Sequence, residues 1–177
     1  MRKFLIVLAL TTAAAIPASA QKINMDFPSL EERASETVEV TLDASMLRMA
    51  AKFLSNSDPE ERSVRQMIGG LTGIYVRSYE FDEDNAYDKR LASEVKAQLG
   101  PTWKPFVNVR SKKKENVTIM ADMRGEKVTG LVVISAEPRQ FTVISIEGPI
   151  DIDRLADLEG HLGIPEITKD KKDHDND

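Results

Sequence analysis

The chain has 177 residues, no cysteine and a formal net charge of −5, from 24 basic and 29 acidic side chains. This length fits one ordinary domain with its own hydrophobic core, and the acidic balance argues against nucleic acid as a partner. The lack of cysteine excludes structural disulfides, thiol nucleophiles, thiolate metal sites and a lipid anchor on a cysteine.

The N-terminus has the pattern of a cleavable export signal. Arg2-Lys3 precedes an apolar run from Phe4 to Ile16, and the small residues Ala18-Ser19-Ala20 follow it. The apolar run is too short to span a bilayer, and this order of charge, apolar core and small residues is typical of a Sec-type signal peptide. We therefore expect residues 1–20 to be removed by cleavage after Ala20, and the protein to be periplasmic or secreted. No second long apolar segment follows, so we expect no stable membrane anchor.

The first elements after the signal are a strand and two helices. Residues 21–37 are polar and contain Pro28, which predicts a flexible or loosely docked lead-in. Alternating apolar and polar residues in Val38–Leu42 predict a strand, after which Asp43 can cap a helix. The apolar side chains of that helix are expected to lie in the core; they are Met46, Leu47, Met49, Ala50, Phe53 and Leu54. Asp58-Pro59 predicts the start of a second helix, which ends at Gly69-Gly70.

The rest of the chain is richer in strands. The β-branched and aromatic residues of Gly73–Phe81 predict a central strand. A polar turn at residues 82–85 leads to a helix that carries Leu91, Val95 and Leu99, and Asp151 is expected to cap a last helix. Four further runs are predicted as strands, and their short connections favour an antiparallel meander. These runs are Trp103–Arg110, Asn116–Met123, Val128–Ala136 and Phe141–Gly148.

This order of elements predicts an α+β fold with a mostly antiparallel sheet of about five to six strands and helices packed on one face. Leu131–Ile134 and Val143–Ile146 are apolar at every position but Ser145, so we expect them at the sheet centre, covered by helix on at least one side. The predicted domain spans residues 38–166. Residues 167–177 are almost wholly charged, which predicts a disordered tail.

Catalytic and metal-binding patterns are weak in this sequence. The two histidines, His161 and His174, share no ligand spacing, so no metal site is predicted. A serine nucleophile needs a base and a strained turn that exposes its hydroxyl, and no Gly-x-Ser-x-Gly pattern is present. We interpret Ser93-x-x-Lys96 and Ser111-x-x-Lys114 as chance matches. The sequence therefore predicts no catalytic residue and no cofactor, and it favours a non-enzymatic protein.

Three arginines are the most informative polar residues. Arg77, Arg110 and Arg139 lie within or beside predicted strands, whereas other charges fall in turns and on helix faces. They could form ion pairs within the fold or line a pocket for an anion, and both alternatives stay open. Tyr75 and Tyr79 share the predicted strand face of Arg77. Because rings mixed with a guanidinium are typical of interfaces, this face is a candidate binding surface, although a helix-covered sheet face would hold the same aromatics.

Several sequence blocks resemble one bacterial family of exported proteins, the domain of unknown function 4252. The blocks are Gly70–Phe81, Trp103, Val109–Ser111, Ala136–Arg139 and Gly148–Asp151. The resemblance implies an envelope location and a single small domain after a signal, and it brings no assigned activity. In some genomes such genes neighbour extracytoplasmic-type sigma factors, which implies, by analogy alone, a role in envelope stress or signalling.

The leading hypothesis is a non-enzymatic periplasmic interaction module, or an envelope stress or signalling module, whose partner is another envelope protein. The alternative is an exported hydrolase or a small anionic-ligand binder with an arginine-lined pocket. A third possibility is a module that pairs through a sheet edge. The candidate binding residues are Tyr75, Arg77, Tyr79, Arg110 and Arg139. Oligomeric state stays open.

Overall fold

The computed structural model describes residues 23–111 and 116–151. The described helices are α1 (Pro28–Glu31), α2 (Ala44–Phe53), α3 (Pro59–Gly70) and α4 (Leu91–Ala97). The described strands are β1 (Glu36–Asp43), β2 (Gly73–Glu80), β3 (Trp103–Arg110), β4 (Asn116–Arg124), β5 (Lys127–Ala136) and β6 (Gln140–Ile150). The expected signal peptide, last helix and charged tail lie outside the described residues, as do His161 and the turn at residues 112–115. None of the helices just named is both long and apolar enough to cross a membrane.

All six strands form one antiparallel sheet in the order β1-β2-β6-β5-β4-β3. The last four strands form a meander, as their short connections predict. Strand β2 pairs with β6, and β1 then pairs with β2 to form the far edge. This arrangement confirms the predicted α+β fold.

The first face of the sheet carries the larger apolar core. It packs against the N-terminal segment, helix α1, the loop before α4, and α4 itself. Phe27, Tyr87 and Phe141 meet through their rings, with centroid distances of 5.7 Å for Phe27–Phe141 and 5.4 Å for Tyr87–Phe141. The buried members of this core are Ile23, Met25, Leu30, Tyr79, Phe81, Tyr87, Val95, Val132, Ile134, Phe141 and Val143.

The second face carries a smaller core. Helix α2 contributes Leu47 to this core, and Leu71, which directly follows α3, is also buried in it. Helices therefore lie on both faces, whereas the sequence predicted them on one. The physical reason is that β5 and β6 are apolar on both sides, so each side needs cover from water. The cover of the second face is partial: Val76, Ile144 and Val133, which pair in register across β2, β6 and β5, are only half-buried.

The N-terminal segment is built into the first face. Ile23, Met25 and Leu30 are buried there, with 8%, 7% and 2% of their surface exposed. Asn24 is tied to the end of α4, because its backbone N–H donates to Gln98 Oε1 at 2.8 Å and the Gln98 amide donates back to the Asn24 carbonyl at 3.2 Å. This part of the expected loose lead-in thus differs from the prediction. Ile23, Met25 and Phe27 alternate with Asn24 and Asp26, a period of two that carries a signal for a buried face, but the polar composition of the whole segment outweighed it in the prediction.

Candidate functional site

Arg77 is held by two carboxylates. Its Nη2 lies 2.6 Å from Glu39 Oε1 and its Nε lies 3.3 Å from Asp26 Oδ1, while Nη1 donates to the Val76 carbonyl at 3.0 Å. Glu39 stands directly opposite Arg77 on β1, which is a favourable cross-strand charge pair. The Arg77 side chain is only 16% exposed. Of the two alternatives for Arg77, the geometry favours the ion pair within the fold.

The two tyrosines beside Arg77 are not an open surface. Tyr79 is 2% exposed; its hydroxyl accepts from the Phe27 N–H and donates to the Met25 carbonyl, both at 3.4 Å. Burial raises the pKa of this hydroxyl. Tyr75 is half-buried and lines a hollow of about 280 Å³ with Arg77, whose other lining side chains include Asp26 and Glu147. The N-terminal segment therefore covers the strand face that the sequence marked as a candidate interface.

Arg139 also has a partner, at the surface. Its Nε lies 2.5 Å from Asp84 Oδ1, and this carboxylate raises the pKa of the guanidinium through a hydrogen bond and charge. Both side chains are more than half exposed, so solvent screens the pair and its contribution to stability is small. Its consequence is local: the pair neutralises Asp84, which lines the neighbouring cleft.

Arg110 lines a surface cleft, which we call the α4 cleft. The cleft has a volume of about 540 Å³ and lies on the first face, between α4 and the ends of β3, β4 and β5. Lys89 and Lys96 line it from the α4 side. Among the described residues, Arg110, Lys89 and Lys96 form no ion pair. With Asp84 neutralised, Glu137 is the only other described acid in the lining, so the cleft has a net positive charge.

The wall of the α4 cleft is fixed by hydrogen bonds between the loop before α4 and the turn between β5 and β6. The Tyr87 hydroxyl is bonded to the carbonyls of Glu137 and Gln140, at 2.5 and 3.0 Å, in the turn between β5 and β6. The Asn85 N–H donates to the Pro138 carbonyl of the same turn at 2.7 Å. Burial raises the pKa of Tyr87 to about 12, so its phenol stays neutral at physiological pH. The cleft is therefore a formed feature of the fold, in the size range of small-molecule sites.

The uncharged polar lining of the α4 cleft consists of hydroxyl and amide groups. Ser93 and Lys96, which the sequence pairs as Ser-x-x-Lys, both line it. No histidine is among the described lining residues, and no group of three or more acidic or histidine side chains in the described chain could hold a metal. The remaining polar groups are amides and hydroxyls, which donate and accept hydrogen bonds; they are Asn85, Asn108, Asn116, Ser111 and Thr118.

A second candidate surface lies on α2. Asp43 caps this helix as predicted, since its Oδ1 accepts from the N–H groups of Ser45 and Met46 at 2.8 and 2.9 Å. Leu47 is buried, but Met46, Met49 and Phe53 are 45%, 56% and 84% exposed. These three side chains lie on one side of the helix, at positions i, i+3 and i+7, and we call them the α2 ridge. They were predicted to lie in the core, and that prediction is wrong.

Sequence reasoning missed two features for different reasons. The α2 ridge could have been suspected, because apolar side chains occupy more than half of the circumference of α2. A helix that packs on one sheet buries a single stripe, so the other apolar side chains are left exposed. Lys89 and Lys96 could not have been grouped with Arg110, because only the fold places α4 and the end of β3 on one cleft. Of the five candidate binding residues, Tyr75 and Arg77 share the smaller hollow, Arg110 lines the α4 cleft, Arg139 pairs with Asp84 at its rim, and Tyr79 is in the core.

Comparison with known protein families finds a match over most of the chain. The model of a family described as a domain of unknown function, DUF4252, matches residues 31–158. No curated protein and no solved structure matches the chain.

Proposed function

Since the chain belongs to the DUF4252 family, whose description assigns no activity, we propose from its surfaces that it is an exported, non-enzymatic protein-interaction module. Its partner is another protein of the envelope, and its binding surface is the α2 ridge. Export is supported by the signal pattern of residues 1–20. The sequence suggested a different surface, around Tyr79, but the N-terminal segment covers that surface and it is not free to bind a partner.

The exposure of the α2 ridge is the observation that carries this proposal. Large apolar side chains are normally buried, and burying one Phe or Met is worth about 1.5–3 kcal/mol. From the exposed fractions of Met46, Met49 and Phe53, a partner that covered the ridge would recover on the order of 3–5 kcal/mol. Contiguous exposed apolar patches of this kind mark interaction sites in soluble proteins.

The charges on α2 specify the chemistry of the partner. The helix contains no acidic residue, and Arg48 and Lys52 are exposed beside the ridge. The complementary surface is an apolar groove with acidic side chains at its rim, because opposite charges at a rim steer association and reject wrong partners. A helix laid into such a groove is a common mode of recognition, with anchors at i, i+3 and i+7.

The test begins with crosslinking in intact envelope, which identifies candidate partners, and is decided with purified components. The mature chain and its Met49→Ser/Phe53→Ser variant are titrated with the purified partner. We expect at least a tenfold loss of affinity in this variant, and weaker binding of the wild type at high salt. Phe106→Ser is the matched control, because Phe106 is 53% exposed on β3, away from α2; its affinity should equal that of the wild type.

Two outcomes would overturn the proposal. Equal affinity of the ridge variant and the wild type would remove the ridge from the interface. A ridge-dependent increase in mass with concentration, or ridge-dependent binding to lipid vesicles without any protein, would identify a second copy or a membrane surface as the occupant. The like charges of Arg48 and Lys52 on both helices argue against symmetric pairing of two ridges.

A further inference from the structure

The α4 cleft concentrates cations that the fold itself does not use. The chain has more acidic than basic side chains, so ion-pair partners are plentiful. Yet Lys89, Lys96 and Arg110 form no ion pair among the described residues, although they line one cleft. Lys96 is half-buried in this position. Because burial disfavours an unpaired charge, an anion in the cleft would stabilise Lys96 most, and it would offset the repulsion among Lys96 and the exposed Lys89 and Arg110.

The geometry of the lining restricts that anion. Arg110 comes from β3, whereas Lys89 and Lys96 come from α4 and the turn before it, so the cations belong to different walls of the cleft. A guanidinium binds two oxygens of a phosphate or carboxylate at once, and ammonium groups add point charges. Arg139 reinforces this field from the rim, because it removes the charge of Asp84. The cleft is thus suited to an oxyanion.

The amides of the cleft extend the recognition beyond charge. Asn108 on β3 and Thr118 on β4 line the cleft from the sheet. An asparagine amide can donate to one oxygen and accept from a hydroxyl, which suits the neighbouring hydroxyls of a sugar. A volume of about 540 Å³ holds a ligand larger than a bare inorganic ion and lies within the range of small-molecule sites.

We propose that the α4 cleft binds a small hydroxylated oxyanion, a sugar-like molecule that carries a phosphate or carboxylate group. Lys89, Lys96 and Arg110 bind the anionic group, and Asn108 and Thr118 bind its hydroxyls. The proposal is independent of the one for the α2 ridge, because the cleft and the ridge lie on opposite faces of the sheet.

The test uses four probes with the full mature chain: glucose 6-phosphate, glucuronate, inorganic phosphate and glucose, each at matched ionic strength. Ligands that bind only the folded state raise its melting temperature. At about one hundred times Kd we expect glucose 6-phosphate or glucuronate to raise Tm by about 5–10 °C. Glucose should have no effect, since it lacks the charge, and phosphate should bind at least tenfold more weakly than the better sugar anion.

Variants separate the cleft from the general charge of the protein. In Lys96→Gln/Arg110→Gln we expect at least a tenfold loss of affinity by calorimetry. Lys104→Gln/Lys127→Gln removes the same charge from exposed positions that do not line the cleft, and it should bind like the wild type. Asn108→Ala should weaken the sugar anion and leave phosphate binding unchanged.

The proposal is overturned if no probe stabilises the chain beyond sodium chloride at the same ionic strength. It is also overturned if both double variants bind alike, because the attraction would then be a property of the whole surface. Phosphate binding as tight as that of the sugar anions would refute the hydroxyl recognition. Should the Lys96→Gln/Arg110→Gln variant fail to fold, Lys89→Gln alone, at an exposed position, replaces it with the same expected direction.

Discussion

Replacement of Phe53 by serine tests whether the α2 ridge is open in the folded protein. Phe53 is 84% exposed, so the folded state protects only about a sixth of its surface. Full burial of a phenylalanine side chain is worth about 1.5–3 kcal/mol, and a sixth of that is at most about 0.5 kcal/mol. Serine and phenylalanine have similar helix propensities, so the helix itself adds little to the difference. We expect Phe53→Ser to reduce the free energy of unfolding by about 0.5 kcal/mol or less.

Leu47 lies on the same helix and provides the contrast, because it faces the sheet whereas Phe53 faces solvent. It is 2% exposed and belongs to the core of the second face. Truncation of a buried leucine removes its transfer energy and leaves a cavity, so we expect Leu47→Ala to cost about 2–5 kcal/mol.

Urea unfolding followed by circular dichroism measures both variants. With a slope of about 1–3 kcal/mol/M, the midpoint for Phe53→Ser should fall by less than about 0.5 M, whereas Leu47→Ala should shift it several times further. If Phe53→Ser lowered the midpoint as much as Leu47→Ala at unchanged slope, Phe53 would be covered in the folded chain. That result would refute the reasoning on the ridge, and the proposed binding surface with it.

Three further predictions concern backbone space, ionisation and export. Gly148 has φ of +120°, and an added Cβ would lie 2.8 Å from the Cα of Leu71. We therefore expect Gly148→Ala to lower the free energy of unfolding, measured by chemical denaturation, by about 2–4 kcal/mol. An added Cβ at Gly69 would meet nothing within 4 Å, so Gly69→Ala should instead stabilise α3 by about 0.5–1 kcal/mol. Burial raises the pKa of Tyr87 to about 12. Its neutral phenol therefore contributes stability that is present below pH ~10 and lost as pH rises through about 12. Absorbance at 295 nm should show that Tyr87 ionises together with alkaline unfolding, and ionisation near pH 10 in the folded state would contradict its burial. Mass spectrometry of protein recovered from the envelope should find Gln21 as the first residue, and an intact Met1 in the exported fraction would contradict cleavage after Ala20.

Most of the fold could be predicted because its signals are local. Alternation and β-branched residues identified the six strands to within two or three residues, and Asp43 identified the start of α2. What could not be predicted is which face each helix covers, because that depends on contacts between distant residues. The apolar content of β5 and β6 required cover on both sides without indicating which helix would supply it.

The candidate site could be predicted only in part, and Arg77 shows why. Its residue type and strand position allowed either an ion pair or an anion pocket. The choice depended on Glu39 and Asp26, which lie 38 and 51 residues away in sequence. Arg110 had the same two alternatives, and in its case the fold placed it in one cleft with Lys89 and Lys96 and gave it no ion pair among the described residues. Sequence position alone could not distinguish the two arginines, because the difference lies entirely in what the sheet register and α4 bring beside them.

The separation of the two surfaces makes the two proposals jointly informative. The α4 cleft lies against the first face, whereas α2 packs through Leu47 on the second, and β5 and β6 lie between them with little exposed surface. Occupancy of one surface leaves the other free, so additivity is the default expectation for substitutions this far apart. Phe53→Ser should therefore leave the anion-dependent rise in Tm unchanged. A change in anion affinity in that variant would mean that the sheet transmits a coupling between its faces, and the module would then report a ligand on one face to a protein partner on the other.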